Sequence, residues 1–119
     1  MSRVLQVHTN TGWEEGWAGS LRQEPDLEVH SIAYTSESAF LDEVTQFQPN
    51  VILLNKDGPL HPYPLRQWLA RIPAQSRVRI IVFNAHNNVI DIYDSFKTRQ
   101  AVLTDFIDLI QYIRDVRHG

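Results

Sequence analysis

The chain has 119 residues, of which 43% are apolar and 21% are charged, and its formal net charge is −3. This length and composition predict one soluble globular domain spanning residues 1–119. Scattered basic residues argue against nucleic-acid binding, and the absence of cysteine excludes disulfides and thiolate chemistry. No apolar run is long enough to span a bilayer, and residues 1–10 lack a secretory signal, so we expect a cytoplasmic protein with no membrane partner.

Four short runs rich in aliphatic and β-branched residues are predicted to be β-strands. Three of these runs are apolar almost without interruption, which is typical of parallel strands buried on both faces of a sheet. The four predicted strands cover residues 4–8, 27–33, 51–54 and 78–83.

Between these runs, apolar residues at spacings of three and four predict amphipathic helices. Thr104 is a plausible cap for the last of them. Strands that alternate with helices imply right-handed crossovers and a parallel sheet with helices on both faces. The apolar residues in question are Trp13, Trp17 and Leu21, then Phe40, Val44 and Phe47, then Leu65, Leu69 and Ile72, and finally Phe106, Leu109, Ile110 and Ile113.

Residues 87–102 break the alternation of strands and helices. A β-favouring run is followed by a polar break at Asp94 and Ser95 and then by a second run of alternating character. Because Val89 and Ile90 are poor helix formers, we predict a β-hairpin here. An exposed ribbon can pair with another strand edge, and Tyr93, Lys97 and Arg99 are therefore candidate interface residues.

The segment "VILLNKDGPL" resembles the phosphoacceptor turn of response-regulator receiver domains, in which an apolar third strand ends in aspartate and a proline follows four positions later. Asn55 stands at the acceptor position and Pro59 at the proline. Asn84 and Ala85 follow the fourth strand where receivers have threonine or serine and then alanine. The resemblance implies a flavodoxin-like, receiver-type three-layer α/β sandwich. Its central parallel sheet would have five strands, with the hairpin in place of the fourth helix.

The departures from the receiver pattern concern the reactive groups. Receivers hold magnesium with an acidic pair after the first strand, and here His8 and Thr9 occupy those positions. The carboxamide of Asn55 lacks the anionic oxygen needed to form an aspartyl phosphate. Asp57 is most simply a solvated turn residue. The resemblance thus implies a pseudo-receiver of the two-component signal transduction type, which is not an enzyme and acts through protein–protein contacts. Homodimerisation through the hairpin and last helix is a separate hypothesis, motivated by the replaced fourth helix.

A second hypothesis concerns the loop after the first strand. "HTNTGWEE" resembles part of the flavodoxin phosphate loop, so a phosphate or flavin could be bound by Thr9, Thr11 and Gly12, with Asn55 and Asn84 at the same sheet edge. However, Glu14 and Glu15 would repel a phosphate. The same residues are also explained by an ordinary helix start, with Thr11 as the N-cap and the two acids near the positive end of the helix dipole. We therefore expect no cofactor.

Metal and hydrolase chemistry have weaker support. His8, Asp57 and His86 fall near one predicted edge but lack a tight ligand spacing, so we predict no metal site. No nucleophile turn, phosphate loop or dinucleotide fingerprint is present, and we predict no catalytic residue. Trp13 and Trp17 fit either a core stripe or a docking surface.

Overall fold

The computed structural model describes residues 2–8, 21–56, 58, 60–71, 78–84, 86–94, 98–104 and 106–114, without the side chains of His8 and Phe106. Within these residues, six strands form one sheet in the order β2-β1-β3-β4-β5-β6. The strands are β1 (Ser2–His8), β2 (Leu27–Ala33), β3 (Val51–Asn55), β4 (Arg79–Asn84), β5 (Val89–Tyr93) and β6 (Thr98–Val102).

The first four strands are parallel, whereas β5 is antiparallel to both β4 and β6. The predicted hairpin is therefore confirmed, but the prediction of a central parallel five-stranded sheet is wrong, because the sheet is mixed. The physical reason is the length of the connection between β4 and β5, which is residues 85–88. A parallel neighbour needs a crossover of about a dozen or more residues, so a strand after such a short turn must return antiparallel.

The described helices are α1 (Glu37–Phe47), α2 (Pro62–Ala70) and α3 (Phe106–Arg114). Helix α1 begins after Ser36, whose hydroxyl accepts a hydrogen bond from the Ala39 N–H at 3.2 Å. The start of α3 is held by Asp108, whose carboxylate accepts hydrogen bonds from the backbone N–H and the hydroxyl of Thr104. No helix among the described residues is long and apolar enough to cross a membrane.

Helices pack on both faces of the sheet, because alternate residues of each central strand belong to different apolar clusters. In β3, Val51 and Leu53 pack with α3, while Ile52 and Leu54 pack with α1 and α2. We call these two sides the α3 face and the α1/α2 face. On the helices, the residues buried in these clusters are Phe40, Val44, Leu65, Leu69, Leu109, Ile110 and Ile113.

The periodicities that predicted helices agree with this burial where the structure describes them. Leu21, the last apolar residue of the first predicted helix, is fully buried against the α3 face. Trp13, Trp17 and Ile72 lie outside the described residues. The choice between core packing and docking for the two tryptophans therefore stays a prediction.

Candidate functional site

The carboxyl ends of β1, β3 and β4 meet at one edge of the sheet. These strands are neighbours, and they end at His8, Asn55 and Asn84. The β1–β3 pairing runs from Val4 with Val51 to Gln6 with Leu53, two residues before the two strands end at His8 and Asn55. The backbone thus places at one edge three of the four positions that the sequence resemblance singled out. The fourth, Thr9, lies outside the described residues.

Asn55 is a buried polar residue at the centre of this edge, with 6% of its surface exposed. The peptide group that joins Asn55 to Lys56 is hydrogen-bonded through both its N–H and its carbonyl. The Lys56 N–H donates to the Phe83 carbonyl of β4 at 2.9 Å, and the Gly58 N–H donates to the Asn55 carbonyl at 3.0 Å. The second bond closes a tight turn directly after the strand. A neutral carboxamide suits such a buried position, where an isolated carboxylate would lose its solvation.

Asn84 shapes the turn that follows β4. Its side-chain oxygen accepts a hydrogen bond from the His86 N–H at 3.0 Å, and its backbone carbonyl accepts one from the Asn88 N–H at 3.0 Å. Asn84 therefore builds the turn into β5, and its side-chain oxygen already has a partner.

Two further asparagines shape the same turn, and sequence reasoning missed them. The side-chain oxygen of Asn87 accepts a hydrogen bond from the Val89 N–H at 3.0 Å, and Asn88 has a left-handed φ of 58°. The signal was present in "NAHNN", since asparagine favours both side-chain turns and left-handed backbone. These residues hold the connection that forces β5 to run antiparallel.

The loop hypotheses fall mainly on residues outside the described ranges. Thr9, Thr11, Gly12, Asp57 and the side chain of His8 belong to this group. The structure therefore does not describe the candidate phosphate loop, and of His8, Asp57 and His86 it describes only the side chain of His86. Within the part of the chain that the structure covers, no three histidine or acidic side chains are grouped as metal ligands would be.

Two of the three candidate interface residues, Tyr93 and Arg99, are described by the structure. Tyr93 packs toward the α1/α2 face, where the Arg66 guanidinium carbon lies 5.8 Å from its ring centroid. Arg99 is paired with Ile92, which belongs to the α3 face. Directly opposite residues of an antiparallel pair share a face, so Tyr93 and Arg99 lie on opposite sides of the sheet. Lys97 lies outside the described residues.

Tyr93 also sits in an unusual electrostatic setting. Burial raises the pKa of its hydroxyl above the ordinary value of 10.0, and the proximity of Asp91 and Tyr63 raises that pKa further. The Arg66 guanidinium acts in the opposite direction. Tyr93 therefore remains protonated at neutral pH, as a half-buried packing residue with a polar end.

Two arginines connect elements at the opposite edge of the sheet. Arg79 contacts Asp94 at 2.6 Å and donates to the Tyr112 carbonyl at 2.9 Å. Arg114 contacts Asp26 at 2.8 Å, and its second nitrogen contacts the Glu24 carboxylate at 2.9 Å. The hydrogen bond to Asp26 raises the pKa of the Arg114 guanidinium. These pairs join the last helix and the hairpin to the sheet, so this edge has a structural role.

No protein-family model, curated protein or solved structure gives a significant match to this chain.

Proposed function

We propose that this chain is a flavodoxin-like, receiver-type regulatory domain that has lost phosphoryl transfer and acts through protein–protein contacts. It would work in the cytoplasm, as a pseudo-receiver derived from two-component signalling. The proposal rests on the resemblance of its central strand and turn to the receiver phosphoacceptor segment. It treats the protein as a binding module with no enzymatic activity.

The observation that carries the proposal is the position of Asn55. It ends β3, the strand between β1 and β4, and it is buried at the edge where the parallel strands terminate. In open parallel α/β sheets, functional groups gather at this edge. The group that stands there is a carboxamide, which cannot accept a phosphoryl group as a carboxylate does.

The mixed sheet is the second support for a role in binding. The face through which receivers change partners is altered where a hairpin replaces the fourth helix, and here β5 and β6 form that hairpin. The hairpin presents a different set of side chains and an outer strand edge. A domain that keeps the core strands but rebuilds this surface is suited to a different partner.

The test is phosphorylation by a small-molecule donor. Incubation with acetyl phosphate and magnesium, or with beryllofluoride and magnesium, should leave the intact mass and the amide spectrum unchanged. The Asp57→Asn variant is the matched control, because Asp57 is the nearest carboxylate in sequence to the acceptor position. A phosphoryl adduct on the natural chain that disappears in Asp57→Asn would overturn the proposal.

The same protein sample tests the ligand hypothesis. Flavin mononucleotide and inorganic phosphate should each leave the melting temperature unchanged, since a ligand that binds the native state alone would raise it. A saturable rise with either compound would replace the binding-module proposal with a small-molecule site.

A further inference from the structure

Strand β6 forms one outer edge of the sheet. It pairs with β5 on one side, and no strand among the described residues pairs with its other side. Four of its five residues are exposed, and Val102 is a large apolar side chain with 68% of its surface accessible. Exposed edge strands present unpaired backbone groups that can bind another strand. We call this side the open edge of β6.

The pairing pattern identifies which backbone groups face the open edge. The Leu103 N–H donates to the Asn88 carbonyl at 2.8 Å, so Leu103 directs its backbone toward β5. In an antiparallel pair, hydrogen-bonded and non-hydrogen-bonded positions alternate. Arg99 and Ala101 therefore also face β5, while Thr98, Gln100 and Val102 direct their N–H and C=O groups outward.

We propose that the open edge of β6 binds the same edge of a second copy of this chain, antiparallel and centred on Gln100. In this register, Gln100 exchanges both backbone hydrogen bonds with the second copy's Gln100. Thr98 and Val102 do the same with Val102 and Thr98 of the second copy. Every outward N–H and C=O of β6 gains a partner, and the two sheets become continuous.

Side chains favour this register over its neighbours. With Gln100 at the centre, Arg99 lies opposite the second copy's Ala101, and the exposed Val102 lies opposite a β-branched threonine. A shift that centres the pair on Arg99 places two arginines directly opposite each other, which is destabilising. A shift that centres it on Ala101 leaves Thr98 opposite Thr104, beyond the end of the strand.

The self-complementarity of β6 is the reason to name a second copy as the occupant. The strand carries one charged residue, Arg99, and the proposed register places it beside a neutral, small side chain. The strand has five residues and no proline. Two strands of that length bury less than the roughly 1,000 Å² of stable interfaces, so we expect a dissociation constant in the micromolar range.

This inference rests on the proposed function, in that it names one partner for a domain that works through protein contacts. Its outcome is separable from the phosphorylation test. A monomeric chain that also resists phosphorylation would remove the second copy as partner and leave the pseudo-receiver proposal intact. A dimeric chain that is phosphorylated would keep the second copy as partner and overturn the pseudo-receiver proposal.

The first experiment is sedimentation equilibrium of the full chain and two variants. Gln100→Pro removes the central outward N–H while leaving the hydrogen bonds between β5 and β6 in place, because proline is tolerated where the N–H faces away from the partner strand. Gln100→Ala is the matched control. Both variants lose the Gln100 side chain and its 2.9 Å hydrogen bond to Asp91, but only Gln100→Ala keeps the backbone N–H.

The natural chain and Gln100→Ala should dimerise reversibly, and Gln100→Pro should bind its own copy at least about tenfold more weakly. A natural chain that stays monomeric up to about 1 mM, a concentration at which even a millimolar dissociation constant would be visible, would overturn the proposal. A folded Gln100→Pro variant that dimerises as well as Gln100→Ala would overturn it too.

The second experiment uses the natural chain alone and does not depend on the folding of any variant. Amide hydrogen exchange, read residue by residue by NMR, should show slow exchange at Arg99 and Ala101 at all protein concentrations. The amides of Thr98, Gln100 and Val102 should exchange fast in dilute protein and become protected as concentration rises. Concentration-independent exchange at these three amides would contradict the proposed pairing.

Discussion

Arg79 and Asp94 form a close ion pair that joins the start of β4 to the end of β5. The two side chains are 2.6 Å apart at their nearest atoms, and their exposed fractions are 7% and 29%. Arg79 also donates to the Tyr112 carbonyl of α3 at 2.9 Å, and the Asp94 carbonyl accepts from Arg66 at 3.2 Å. One buried cation thus connects the sheet, the hairpin and the last helix.

Removing the acid of this pair should be costly, because it leaves the Arg79 charge buried without its counter-ion. We expect Asp94→Ala to lower the free energy of unfolding by about 2–4 kcal/mol, somewhat less than the loss of about 3–5 kcal/mol for a fully buried pair, because Asp94 is partly exposed. Urea denaturation followed by circular dichroism measures the loss. Glu28→Ala is the control, since its pair with Arg3 is exposed and should contribute less than about 1 kcal/mol. Equal losses of unfolding free energy in the two variants would contradict the stabilising role of the buried Arg79–Asp94 ion pair.

Asn55 occupies a position where a charge is unfavourable. Asn55→Asp should destabilise the fold by about 1–3 kcal/mol at neutral pH, because burial raises the pKa of an aspartate. Because the pKa of the new aspartate is raised in the folded state, the destabilisation is absent below its unfolded-state pKa of about 4. It grows as pH rises above that value. Denaturation at acidic and neutral pH measures this dependence.

The matched control for Asn55→Asp is Asn87→Asp, the same change at an exposed turn residue that accepts a hydrogen bond from the Val89 N–H. It should alter stability by no more than about 0.5 kcal/mol at either pH. A pH-independent effect of Asn55→Asp would mean that the new carboxyl group is solvated, contrary to the burial of Asn55.

The end of α1 offers a stabilising substitution. Gln48 has a φ of 52° and donates its N–H to the Val44 carbonyl, so it adopts the left-handed conformation that glycine tolerates best. Gln48→Gly should raise the free energy of unfolding by up to about 1 kcal/mol. Gln46→Gly, inside the same helix, should lower it by about 0.5–1 kcal/mol. Thermal denaturation of both variants tests whether their stabilities change in opposite directions. A destabilised Gln48→Gly would show that the left-handed backbone of Gln48 is not strained.

Tyr93 should make stability sensitive to alkaline pH. Burial, Asp91 and Tyr63 raise the pKa of Tyr93 above 10.0 in the folded state. A group whose pKa is raised by folding contributes stability that is complete below its unfolded-state pKa and is lost as pH rises through the folded-state pKa. Tyr93→Phe should therefore reduce the loss of stability above pH 10.

Ultraviolet titration of the phenolate absorbance gives an independent reading of Tyr93. The chain has four tyrosines, and the ionisation that disappears in Tyr93→Phe belongs to this residue. Asp91→Asn should shift that ionisation to lower pH, because it removes one of the charges that raise the pKa. A Tyr93 ionisation at or below pH 10 would contradict its half-buried position.

Sequence reasoning brought the ends of three strands to one edge of the sheet, but it did not predict the hydrogen bonds that the side chains make there. The predicted ends of β1, β3 and β4 lie within one residue of the observed ends, because apolar runs mark buried strands, and parallel strands end at a common edge. The possible ligand-binding role of Asn84 stays a prediction, and the structure adds that its side-chain oxygen accepts a hydrogen bond in the following turn. A residue type specifies which hydrogen bonds a side chain can make, but the surrounding backbone selects the one that forms.

The sequence by itself determined the identity and order of the described helices and strands, the hairpin, and the presence of a carboxamide at the end of β3. These features follow from local periodicity and residue type, which act over a few neighbouring positions. Tertiary structure alone decided that β5 runs antiparallel to β4, that Tyr93 and Arg99 lie on opposite faces, and that Arg79 is buried beside Asp94. Those outcomes depend on connection length, strand register and contacts between distant residues, because burial and ion pairing are properties of the assembled sheet.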